Sequence, residues 1–80
     1  MPEIEVKLPP LGKDAPDEAT VSFFFTGEGD PVKEGDDFCE MFTDKATFTV
    51  PSPVNGTLKR ILVQENESVQ VGQVLAIVEM

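Results

Sequence analysis

The sequence predicts an all-β fold, a sandwich or barrel of short antiparallel strands. Three observations carry that reading. No segment shows the apolar period of a helix, short apolar runs are punctuated by Gly and Pro, and the second half of the chain repeats the first. Eighty residues make one domain, spanning 1–80. Two copies of one motif packed face to face would bury the alternating apolar sets of each.

The first element runs over residues 1–8, where Ile4, Val6 and Leu8 fall on one face and Glu3, Glu5 and Lys7 on the other. Pro9-Pro10 ends it, because neither proline can donate to a ladder. Residues 12–18 are polar and contain Pro16, so they read as a loop. The repeat begins at Ala19. Residues 19–43 match 56–80 at an offset of 37, with Thr20/Thr57, Glu28/Glu65, Val32/Val69 and Gly35/Gly72 identical. Val21/Leu58, Phe24/Ile61, Phe25/Leu62, Phe38/Leu75 and Met41/Val78 are apolar in both copies. Each copy is therefore expected to be a strand, a tight turn near Val-x-x-Gly, and a second strand. Between the copies lie a hairpin at Lys45, a run over Thr47-Phe48-Thr49-Val50, and a turn into the second copy at Asn55-Gly56.

Composition narrows the function. Trp and Tyr are absent, so the six Phe residues are expected to supply much of a thin core. Fifteen acidic against six basic side chains give a net charge of −9. That balance argues against nucleic acid and anionic membrane surfaces, which require a basic footprint, and favours basic partner proteins. The sequence has no apolar run of membrane-spanning length, and Met1-Pro2-Glu3 opens no secretory signal. The expected location is the cytoplasm, or the mitochondrial matrix in a eukaryote. One cysteine and no histidine exclude an internal disulfide and make a zinc site or any other metal site unexpected. Cys39 reads as a small buried hydrophobe, since no histidine exists to activate it. No nucleophile–base pair is visible, so no catalytic residue is assigned and an autonomous enzyme is the poorest reading. Asp30, Glu34, Asp36 and Asp37 read as a solvated face.

The informative stretch is Thr43-Asp44-Lys45-Ala46, predicted as a four-residue turn with Asp44 and Lys45 at its centre. A lysine there contributes little to folding and is open to a modifying enzyme. The tripeptide Asp44-Lys45-Ala46 alone is weak evidence, because any surface lysine has similar freedom.

Its context is more specific. Thr43 to Ala46, then Val50-Pro51-Ser52-Pro53-Val54-Asn55-Gly56, then Val69-Gln70-Val71-Gly72-Gln73-Val74-Leu75-Ala76-Ile77, resembles the lipoyl domains of 2-oxo acid dehydrogenase acyltransferases. Val6-Lys7-Leu8-Pro9-Pro10-Leu11-Gly12, Glu18-Ala19-Thr20-Val21 and Gly27-Glu28-Gly29-Asp30-Pro31-Val32 are similar to that family's first strand, second strand entry and Gly-Asp-x-Val turn. The resemblance implies a flattened β-barrel of two quasi-symmetric antiparallel sheets, a barrel-sandwich hybrid. Lys45 would sit at a hairpin tip in one sheet and the termini together in the other. It implies lipoic acid in amide linkage to Lys45, with Asp44, Ala46, Thr43 and Phe42 as recognition residues. The implied partners are a lipoate ligase or lipoyl transferase, a 2-oxo acid decarboxylase, the acyltransferase catalytic domain and dihydrolipoyl dehydrogenase. The arm would carry acyl groups and reducing equivalents between their active sites.

Two positions depart from the family pattern. Phe42 stands three residues before the lysine, where an acidic residue is usual, which is expected to affect recognition by a partner enzyme. Glu65-Asn66-Glu67-Ser68-Val69 replaces the Gly-Asp turn of the second copy. A biotin carrier of the same fold is the nearest rival, but that family brackets its lysine with methionines, whereas here Asp44 and Ala46 do so. The rival from another class is an unmodified β-sandwich adaptor that binds a partner while Lys45 stays bare.

Overall fold

The computed structural model describes residues 2–80, and no helix occurs among them. Met1, where the predicted first strand begins, lies outside the described residues. The strands are β1 (Glu3–Lys7), β2 (Glu18–Phe24), β3 (Pro31–Val32), β4 (Asp37–Phe42), β5 (Thr47–Pro51), β6 (Gly56–Ile61), β7 (Ser68–Gln70) and β8 (Val74–Glu79). They form two four-stranded sheets, ordered β1-β8-β6-β3 and β5-β4-β2-β7, with every pairing antiparallel. The body measures 37 × 22 × 18 Å, a flattened barrel-sandwich. Pro2 and Met80 are neighbours, joined by a 3.0 Å backbone bond in the sheet that does not carry Lys45.

The offset of 37 residues is a structural symmetry, visible bond by bond. Phe25 N–H donates to Phe38 C=O at 2.9 Å, and Leu62 N–H to Leu75 C=O at 2.9 Å. The copies also lock each other. Asn66 N–H donates to Val21 C=O and Val21 N–H to Glu67 C=O; reciprocally, Gly29 N–H donates to Leu58 C=O and Leu58 N–H to Asp30 C=O. Gly29 has φ +94 and Asn66 φ 71, so the turn needs a left-handed residue in both copies. Asn tolerates that region better than most side chains, so the irregular second turn keeps its geometry without glycine. Each copy also holds a short strand beyond the two expected, β3 and β7. Two or three residues are too few to show a period.

The core corrects the expectation placed on phenylalanine. Its largest fully buried side chains include Leu8, Met41, Leu58 and Leu75 with several valines, and Phe38 alone among the six Phe. Phe24 and Phe48 pack against its margin, while Phe23, Phe25 and Phe42 are exposed. Phe42 faces outward by alternation with buried Met41, and for Phe23 and Phe25 the cause is a register shift between Val21 and Phe23 in the pairing of β2 with β4. Simple alternation would send Val21, Phe23 and Phe25 to one face. The bulge inserts Ser22 and reverses the phase, so Phe24 turns inward and its neighbours outward. The second copy repeats the device between Leu58 and Arg60, leaving Leu62 outside.

Gly56 is fixed by a close approach. A Cβ built there would lie 2.4 Å from the Glu79 carbonyl oxygen and 2.8 Å from Val78 Cγ1. Relief requires β6 and β8 to separate at the centre of their sheet. Gly56→Ala should therefore lose about 1–3 kcal/mol of stability in urea unfolding. Unchanged stability would show that the strands separate freely there.

Candidate functional site

The site is built on the β4–β5 hairpin. Met41 faces Phe48 and Phe42 faces Thr47 across the ladder, and Thr43 N–H closes it on Ala46 C=O at 2.8 Å. Asp44 and Lys45 form the tip. Neither has a positive φ; Asp14 and Asn66 are the non-glycine residues that do among those described. The turn is thus not of the mirror-image type, which demands positive φ at its central residues. A side chain does the closing instead. Thr43 Oγ1 accepts from the N–H groups of Lys45 and Ala46, each at 3.2 Å, so the threonine organises the turn from within.

Asp44, Lys45 and Ala46 are exposed, and Phe42, the last residue of β4, is 38 % exposed. Among the described residues the ion pairs belong to Lys59, with Glu3 and with Glu79, so Lys45 is tied to no carboxylate. A primary amine on a closed turn, clear of the barrel, can form a covalent linkage to an incoming carboxyl group. The other amine nearby is that of Lys13, in the β1–β2 connection rather than on the hairpin. Cys39 is buried, and burial first, then the adjacent Glu40, push its thiol up to about 12. The described residues contain no cluster of metal-ligating side chains.

The structure brings all five sequence-predicted site residues, Phe42 to Ala46, onto this one hairpin. It adds neighbours that the local sequence did not mark. Pro16, Glu18 and Ser68 share a cleft with Phe42 and Asp44, and Leu11, Lys13 and Asp14 share another with Lys45 and Phe48. Most belong to the long β1–β2 connection, held by Leu11 against the core and by an Ala15 N–H to Gly12 C=O bond of 3.3 Å. One sequence signal points there. Leu8 and Ser52 play matching parts, Leu8 bonding Gln73 and Gly72 as Ser52 bonds Asp36 and Gly35. They stand 44 residues apart where the rest of the repeat stands 37 apart, so the first copy carries seven extra residues. That insertion is the loop beside the lysine.

Known proteins match this architecture. The family model for biotin- and lipoyl-bearing domains, described as biotin-requiring enzyme, matches residues 4–78. The succinyltransferase component of a 2-oxoglutarate dehydrogenase complex from Bartonella vinsonii is 40% identical over 75 residues, covering 94% of this chain and 18% of that protein. The acetyltransferase component of the pyruvate dehydrogenase complex from Corynebacterium glutamicum is 38% identical over 72 residues, 90% of this chain and 10% of its own length. The chain thus spans a fifth or less of these relatives. The lipoyl domain of the Azotobacter vinelandii 2-oxoglutarate dehydrogenase complex superposes with a TM-score of 0.75 at 23% identity, covering 96% of both chains. A region of the Kluyveromyces lactis urea carboxylase superposes with a TM-score of 0.82 at 16% identity, over 99% of this chain and 6% of that one. Both share the fold. The chain belongs to the biotinyl/lipoyl domain family, and within it resembles the lipoyl domains of 2-oxo acid dehydrogenase acyltransferase components.

Proposed function

We propose that residues 1–80 form a carrier domain modified with lipoic acid on Lys45, serving a 2-oxo acid dehydrogenase complex. The observation that carries this reading is an exposed lysine, free of ion pairs, on a turn closed by Thr43. The residues fit the group: an amide forms at an accessible amine, and removing the lysine's charge strands no partner. The neighbours of Lys45 are Asp44 and Ala46 rather than methionines, which favours lipoate over biotin.

Bound lipoate supplies a dithiolane that accepts an acyl group and reducing equivalents. The protein's part is placement. Thr43 fixes the backbone at Lys45 through its two accepted hydrogen bonds, and the β4–β5 ladder carries that position back to the core. A tethered arm makes each transfer a local encounter instead of a free diffusional one. The partners are the modifying ligase or transferase, the decarboxylase, the acyltransferase catalytic domain and the flavin dehydrogenase. The domain is a carrier without chemistry of its own, working in the cytoplasm or the mitochondrial matrix.

Incubation with lipoate ligase, ATP and lipoic acid should add one lipoyl group by intact mass, and a biotin ligase control should add nothing. Lys45→Gln should abolish the adduct while changing stability by no more than about 0.5 kcal/mol. Adduct formation only with biotin ligase would assign the other cofactor, and none with either would favour an unmodified adaptor. Moving the lysine to position 44 or 46 in a Lys45→Ala background should also abolish labelling; equal labelling would refute the positional requirement. Thr43→Ala removes the acceptor shared by the Lys45 and Ala46 amides, at a cost of about 0.5–1.5 kcal/mol. Faster hydrogen exchange at those amides and slower lipoylation are expected. An unaltered lipoylation rate would show that turn closure is not what the ligase reads.

A further inference from the structure

The two copies differ in the connection that leads into the first strand of each. Residues 9–18 link Leu8 to Ala19, where three residues, 53–55, link Ser52 to Gly56. The longer connection lies against the lysine hairpin and is held there. Leu11 packs on the core margin, Ala15 N–H donates to Gly12 C=O at 3.3 Å, and Val71 N–H donates to Asp17 C=O at 2.8 Å. Between connection and hairpin is a cleft of about 240 Å³ whose apolar walls are Leu11, Ala15, Pro16, Ala46 and Phe48. Lys45 itself lines it.

Charge and attachment decide what fills that cleft. Among the side chains lining it the charged ones are Lys13, Asp14 and Lys45. Lipoylation turns the Lys45 amine into an amide, which leaves one cation and one carboxylate on adjacent residues of the connection. A dissolved anion drawn to Lys13 also meets Asp14, whereas a neutral apolar group meets no unbalanced charge. The arm is neutral from its amide to its dithiolane and is mostly hydrocarbon. The cleft is smaller than the roughly 300–1,000 Å³ of pockets that take drug-sized ligands, which suits a short chain ending in one small ring. A short tether supplies an effective concentration of about millimolar, so an affinity of only about millimolar fills the cleft half the time. Half occupancy raises a partner's apparent Kd for the free arm about twofold, so the arm stays available for transfer.

We propose that this cleft is a resting site for the oxidised lipoyl arm of the same chain, with Leu11, Ala15, Pro16 and Phe48 against its hydrocarbon and ring. The inference rests on the carrier reading, and its test separates the two. The chain is lipoylated with lipoate ligase, checked by intact mass, and studied by NOE spectroscopy. Contacts from the dithiolane ring protons to the side chains of Leu11, Ala15 and Phe48 are expected. They should vanish in fully lipoylated Ala15→Glu, where a carboxylate in the cleft expels the arm. Reduction of the dithiolane by a water-soluble phosphine should be about twofold slower in the wild type than in that variant. Pro16→Glu adds a carboxylate to the same wall from an exposed position, away from the packed side of the connection, and should act as Ala15→Glu does. Lys13→Gln should keep both the contacts and the slower reduction, because a neutral arm gives that amine nothing to pair with. Absence of ring contacts in the wild type, or contacts and reduction rates unchanged in both carboxylate variants, would overturn the resting site while leaving the carrier intact. Equal loss of the contacts in Lys13→Gln would overturn its apolar basis. A wild-type chain that accepts no lipoyl group would overturn both readings.

Discussion

The structure depends on a reciprocal lock between its two copies. Val21 and Leu58 are completely buried, and each exchanges backbone hydrogen bonds with the left-handed turn of the other copy. Neither copy can satisfy those groups alone, and a buried backbone group left without a partner costs about as much as a lost hydrogen bond. The copies are therefore expected to fold as one unit despite the small core. The same lock explains why Asn66 is acceptable where the first copy has Gly29. The position needs a left-handed backbone, and Asn is among the few side chains that supply it at modest cost.

The symmetry also fixes where a modifiable lysine can sit. The bond closing the hairpin, Thr43 N–H to Ala46 C=O, has as its counterpart the bond from Met80 N–H to Pro2 C=O. The Lys45 turn and the paired ends of the described chain thus occupy equivalent places on opposite sheets. The turn itself is cheap, since a threonine hydroxyl closes it without glycine or positive φ. Such a turn sets the direction of a side chain while adding no bulk around it.

Much of this was legible in the sequence. The offset of 37, the identity of the turn residues and the alternation of residues 3–8 gave the all-β fold and the hairpin, because strands and tight turns leave marks of period and residue type. The hairpin that carries the candidate residues was legible too, since Phe42 to Ala46 are consecutive along it. What escaped was anything set by phase or by distant packing. The bulge at Ser22 reverses the faces of Phe23, Phe24 and Phe25, and one extra residue in a ladder has no local signature. The strands β3 and β7 are too short to alternate. The loop carrying Leu11 and Pro16 reaches the lysine through tertiary packing, and only the unequal spacing of the repeats hints at it.

The central claim is that a rigid two-copy frame presents Lys45 alone for modification. It is tested most directly by 1H–15N correlation spectra of the chain before and after treatment with lipoate ligase, ATP and lipoic acid. Shifts confined to residues 43–47 and the β1–β2 loop beside them, with the locked amides of Val21, Gly29, Leu58 and Asn66 unmoved, are the predicted result. Shifts centred on Lys7, Lys13, Lys33 or Lys59, or spread through both sheets, would contradict it.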